Sequence, residues 1–201
     1  GADVRQRHAG AVGAPFGCRP RRLTQQVYEM RRIWAAEPPF EAADPVGPAP
    51  IQHGGPPLLL GAMGPKSMQR GARWAQGTYA FSMNGEGSEI RHMLEMADKA
   101  WEAEGRVDRP YRMAGFWCSL ADNAAPRLRQ YVFDYLKIMG DDAAHAVSSM
   151  MTRSSVAAIR ESIDSYSQLG VDEIMFVPAT CLLYTSPSPR DRTRSRMPSS
   201  A

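Results

Sequence analysis

The chain has 201 residues, 43% apolar and 22% charged, which is enough for one globular domain with a sizeable core and excludes a collagen, a coiled coil or a fully disordered polymer. Its formal charge of +3 comes from the last stretch, where Arg190, Arg192, Arg194 and Arg196 stand against Asp191; without it, 24 basic and 21 acidic residues become 20 and 20. A neutral body gives no electrostatic basis for nucleic-acid binding, and no apolar run approaches a bilayer span or forms a secretory leader, so a cytoplasmic protein with no nucleic-acid and no membrane partner is expected.

Leu23, Val27, Met30 and Trp34 recur at spacings of four, three and four, which predicts an amphipathic helix over 23–34. Arg19, Arg21 and Arg22 before it and Arg31 and Arg32 near its end read as a solvated face rather than as phosphate contacts. Residues 37–57, EPPFEAADPVGPAPIQHGGPP, hold prolines too closely spaced for regular structure. They form a long loop, of a kind often used as a lid or binding segment.

Beyond the loop, short apolar runs alternate with helical stretches. PLLLGAM, residues 57–63, reads as a buried strand, and Gly64-Pro65 opens a helix through Ala75, with Pro65 in the first turn where its missing N–H costs nothing. GTYAFSM, 77–83, is a second strand. The turn Asn84-Gly85-Glu86-Gly87 leads into a helix whose face carries Ile90, Leu94, Ala97 and Trp101 and which Gly105 closes. YRMAGFWCSL, 111–120, is a third strand, followed by a helix over 124–139 bearing Leu128, Val132, Tyr135 and Leu136 and by further helix over 141–151. Ser154 and Ser155 can cap the last helix, with Val156, Ile159, Ile163, Tyr166 and Leu169 as its stripe and Gly170 as its stop; 171–180 is a fourth strand.

Strands separated by helices pair in parallel through crossovers, so the class is α/β. A doubly wound sheet and a (β/α)8 barrel both satisfy the pattern. Cys18 and Cys118 are far apart with no CxxC, and His8, His53, His92 and His145 are scattered singly, so neither a disulfide framework nor a metal site is expected. Spacing assembles no Ser-His-Asp, Cys-His or paired-carboxylate arrangement. Trp74, Trp101 and Trp117 read as packing residues, as do Met113, Met150 and Met151; Met63 and Met83, ending two strands, could line an apolar mouth.

The tail, CLLYTSPSPRDRTRSRMPSSA from Cys181 to Ala201, has no helical or strand period. It resembles a translated library adapter: TGT CTC TTA TAC ACA TCT encodes its first six residues, CCG AGC CCA CGA GAC the next five, and TCT CGT ATG CCG TCT TCT GCT the last seven. It is therefore set apart from the fold. With no initiator Met at Gly1, a fragment at both ends is expected.

PPLLLGAMGPKSMQRGARWAQGTYAF and, much later, SSVAAIRESIDSYSQLGVDEIMFVPAT resemble the C-terminal half of the luciferase-like flavin-dependent oxidoreductases, the bacterial luciferase superfamily. RRLTQQVYEMRRIWAAEPPF is similar to that family's helix and Trp ahead of a variable loop. The resemblance implies a partial (β/α)8 TIM barrel, approximately strands five to eight, over 23–180, with 1–22 as a poorly defined edge and 181–201 as a disordered, artefactual tail. It also implies an enzyme that uses reduced FMN and dioxygen to oxygenate a small organic substrate, or a deazaflavin relative that transfers hydride. A non-catalytic barrel subunit paired with an active homologue is a further implication. The full-length protein would be a homo- or hetero-oligomer. Most ring and substrate contacts would come from the other half, so no general acid or base is named and the fragment is expected to be inactive alone and to aggregate or dimerise.

In barrels the site lies at the strand carboxyl ends, and phosphate sits on late loops and helix N-termini. Those positions are Ala62, Met63 and Gly64 after the first strand, and Ser82, Asn84, Gly85, Glu86 and Gly87 after the second. The Asn-Gly-Glu-Gly turn reads equally as a plain turn or as a phosphate nest. Glu86 would repel a phosphate if it pointed inward, and Lys66 reads as solvated. An unrelated α/β phosphate-binding module is the remaining reading.

Overall fold

The computed structural model describes residues 16–179, so the expectations for 1–15 and for the tail from Cys181 lie outside the described residues. A short 3-10 turn, Phe16–Cys18, leads into α1 (Arg19–Trp34); β1 (Leu59–Leu60), α2 (Pro65–Ala72), β2 (Gly77–Ser82), α3 (Gly87–Ala103) and β3 (Tyr111–Cys118) follow. Next come α4 (Ala124–Leu136), α5 (Asp141–Ser149), α6 (Val156–Gln168) and β4 (Glu173–Pro178). The strands form one sheet in the order β1-β2-β3-β4, every pair parallel. The register sets Gly77 opposite Leu59 and Tyr111, and Met113 opposite Glu173.

Period-two alternation sorts the side chains between the two faces of the sheet. Ala80, Ala114, Phe116 and Cys118 pack with Ile90 and Leu94 of α3 and Ile159 and Tyr166 of α6. At the sheet's other end, Leu60 and Ala62 join Met68 and Ala72 of α2 and Ala97, Ala100 and Trp101 of α3. The opposite face carries Tyr79, Phe81 and Trp117 in an aromatic row, with Phe81 and Trp117 rings 4.8 Å apart. Tyr79 Oη lies 3.7 Å from Met175 Sδ on that face. Helices therefore cover one face from β1 to β3, while Phe176 of β4 on that face is exposed.

Between β3 and α6 the chain makes an excursion. α4 and α5 pack on each other and lay Leu128, Val132, Leu136 and Ala144 against Trp117, Phe81 and Val177, over the carboxyl end of the aromatic face. The feet of this excursion meet, because the Ser119 N–H donates to the Arg153 carbonyl at 3.0 Å.

The stripe of α3 is buried as its spacing predicts, and Gly170 follows α6 with φ +71°, a left-handed stop. The Ser155 hydroxyl caps α6 by accepting the Ala158 N–H at 3.2 Å. Several elements differ from expectation: Tyr135 of α4 and Val156 of α6, expected in apolar stripes, and Met150, expected to pack, are exposed, and α1 and β1 differ more widely. α1 begins at Arg19, and of its predicted stripe only Val27 is buried, with Leu23 49% and Met30 37% exposed. Among the described residues the sheet ends at β1, so α1 has a neighbour along only part of its length. β1 itself is two residues long because the Leu58 N–H leaves the ladder for the Gln76 side chain, at 2.8 Å, and its outer edge has no partner among the described residues. Residues 35–58 form a long loop without helix or strand. No helix among the described residues is long and apolar enough to cross a membrane.

Candidate functional site

Parallel pairing brings the carboxyl ends of the strands, at Leu60, Ser82, Cys118 and Pro178, to one rim. The sequence-predicted residues follow two adjacent strand ends on it. After β1, Ala62 is buried, Met63 is 82% exposed, and Gly64 is extended at the start of α2 with open space where a Cβ would lie. Met83 instead packs beside Trp117 and Val177, so the two methionines meet different surroundings.

After β2 the chain turns tightly. The Glu86 N–H donates to the buried Ser82 hydroxyl at 2.9 Å and to Asn84 Oδ1 at 3.1 Å, and the Met83 N–H donates to Glu89 Oε2 at 2.8 Å. Gly85 stands at φ +82°, a conformation that disfavours a side chain. An added Cβ there would lie 2.6 Å from Arg153 Nε and 2.9 Å from Ser162 Oγ. Gly87 begins α3, a helix of 17 residues whose N-cap, Glu86, provides no side-chain cap.

Arg153 is the residue the sequence reading missed. Its side chain is 5% exposed, and it donates from Nε to the Asn84 carbonyl at 3.0 Å, from Nη1 to the Ala158 carbonyl at 3.2 Å and Glu161 Oε2 at 2.8 Å, and from Nη2 to Glu86 Oε1 at 3.0 Å. Glu86 is thus paired with a buried guanidinium that it shares with Glu161, which holds its carboxylate in place and offsets part of its charge at the rim. Only the place of Arg153, just ahead of the Ser154-Ser155 cap, could have hinted at it. Burial of one arginine leaves no periodic trace.

At the rim, the extended Gly64 leaves open space at the start of α2, where backbone amides favour an anion. The start of α3 is more crowded: Gly87 packs against Ser165 of α6, and the first turn carries the Glu89 carboxylate. Acid–base or nucleophilic groups are not gathered there. Burial pushes the Cys118 thiol up, away from the reactive thiolate. The Tyr166 hydroxyl, buried with no hydrogen-bond partner, is pushed up to about 12, chiefly by burial, with the nearby Ser82 hydroxyl easing the shift. Among the described residues no group of three or more His, Cys, Asp and Glu comes together to hold a metal.

The fold is shared with known structures. An F420-dependent secondary alcohol dehydrogenase, solved with an F420–acetone adduct, superposes with a TM-score of 0.53 at 14% identity, over 87% of this chain and 59% of that one. The coenzyme F420 dependent tetrahydromethanopterin reductase from Methanopyrus kandleri gives 0.53 at 16% identity, over 79% of this chain and 57% of that one. The chain thus spans less than three fifths of either structure. No curated protein matches it. The family model for luciferase-like monooxygenases matches residues 1–173, nearly the whole chain ahead of the tail and including the rim after β1 and β2, and the chain belongs to that family.

Proposed function

We propose that the chain forms approximately strands five to eight of a (β/α)8 barrel in an oxidoreductase, and that the turns after β1 and β2 hold the phosphate end of a flavin-type cofactor. The observation that carries this is the open space at the extended Gly64, where α2 begins, on the rim next to the tight turn that leads into α3. In this reading residues 23–180 are the barrel portion, 1–22 its edge and 181–201 foreign to it.

When bound, the cofactor supplies the redox chemistry: reduced FMN with dioxygen to oxygenate a small organic substrate, or a deazaflavin to transfer hydride. The chain's own residues bind and orient. Gly64, Gly87 and the amides around them hold the phosphate; Ser82 and Asn84 fix the turn; and Ala62 and Met63 border it. α4 and α5, packed on Trp117, keep water from the carboxyl end of the aromatic face.

The family's description as monooxygenases supports FMN. The names of the two similar structures, both F420-dependent, support the deazaflavin reading. The protein works in the cytoplasm as a homo- or hetero-oligomer, and this portion alone is inactive.

Purification of the full-length protein tests the reading. Flavin absorbance that copurifies, with dioxygen consumed when reduced FMN and substrate are supplied, is expected for the monooxygenase. Bleaching of F420 without dioxygen selects the deazaflavin enzyme. Failure to bind either cofactor would sink both and leave the non-catalytic subunit.

A further inference from the structure

We propose that Arg153 is a positioning residue that sets the turn at 83–87 for the phosphate end of the cofactor, an inference that rests on the reading above. A guanidinium taken out of water is tolerated only where its donors are matched, and here Nε, Nη1 and Nη2 all find acceptors. Two of the acceptors, the Asn84 carbonyl and Glu86 Oε1, belong to the turn; the other two, the Ala158 carbonyl and Glu161 Oε2, belong to α6. Arg153 therefore clamps the turn to the start of α6.

Two further contacts serve the same arrangement. Ser162 Oγ donates to the Gly85 carbonyl at 2.8 Å, and the space a Cβ on Gly85 would need is filled by Arg153, whose Cγ lies 2.7 Å from that position. The Arg153 carbonyl accepts the Ser119 N–H at the end of β3. One residue thus ties the turn after β2, the end of β3 and the start of α6. The planar fork is what spans these acceptors, and a lysine ammonium cannot reproduce it.

α3 begins immediately after this turn, so the direction of its first amides follows the clamp. The contacts of Arg153 are to the turn, the end of β3 and α6. Loss of the fork should therefore weaken a ligand through its phosphate and leave the ring's contribution alone.

The test compares FMN with riboflavin, which lacks the phosphate, in the full-length protein, and does the same with the corresponding pair of deazaflavins. Wild type should bind the phosphate-bearing member more tightly. Arg153→Met and Arg153→Lys should each lower that preference by about tenfold, the scale of one lost charge-assisted hydrogen bond, with riboflavin affinity changed by less than about twofold. Amide exchange at 84–88 should quicken in the unliganded variants. Ser162→Ala, a milder change that leaves the guanidinium in place, should shift the preference the same way and keeps the test open if both Arg153 variants unfold. A folded variant with an unaltered preference overturns the role of Arg153 while the cofactor reading stands; a wild-type protein that does not prefer the phosphate overturns both.

Discussion

Tyr166 combines complete burial with an unpartnered hydroxyl, and the two have separable consequences. A hydroxyl with no partner gives little net stabilisation, so Tyr166→Phe should change the unfolding free energy at pH 7 by less than about 1 kcal/mol. Denaturant titration reads this directly, and a loss above about 2 kcal/mol would reveal a strong hydroxyl contact. At high pH the variant should differ. The unfolded tyrosine ionises near pH 10, roughly its ordinary value, whereas the folded one keeps its proton to about 12. The native state then binds more protons than the unfolded one, so the contribution is whole below the unfolded value and is lost as pH rises toward the folded value. The loss amounts to about 2–3 kcal/mol at most. Wild type should thus weaken more steeply than Tyr166→Phe between about pH 10 and 12, the interval between the unfolded and folded values.

At the scale of elements, the cap of α6 is a single hydrogen bond from the Ala158 N–H to Ser155. Ser155→Ala should cost about 1 kcal/mol and lower the melting temperature by a few degrees in a thermal scan. This cap was legible in the sequence, as were the stripe of α3 and the alternation of strands and helices, because each rests on neighbours close in the chain. The length of β1 was not, since it depends on where the Leu58 N–H finds an acceptor and on what pairs with its outer edge. The exposure of Leu23 and Met30 has the same origin: a helical period marks a face but not the neighbour that covers it. At the rim, the positions after β1 and β2 followed from strand order and the family resemblance. The clamp by Arg153 brings together residues as far apart as Asn84 and Glu161, a contact no local pattern encodes.

For the molecule as a whole, the sheet has free edges at β1 and β4 among the described residues, and β4 leaves Met175 43% and Phe176 44% exposed on opposite faces. Unpaired parallel edges with apolar flanks recruit other strands. Sedimentation velocity on this chain should show association that grows with concentration, reduced by Met175→Lys; a monomer at all concentrations with a cooperative melt would contradict this. The arrangement of α4 and α5 bears on the molecule in another way. Their excursion leaves the end of β3 and returns beside it, closed at its base by the Ser119–Arg153 hydrogen bond. The segment between starts and ends at one place beside the sheet, so its length can vary without rerouting the crossover to β4, provided the apolar contacts it makes with Trp117 are kept.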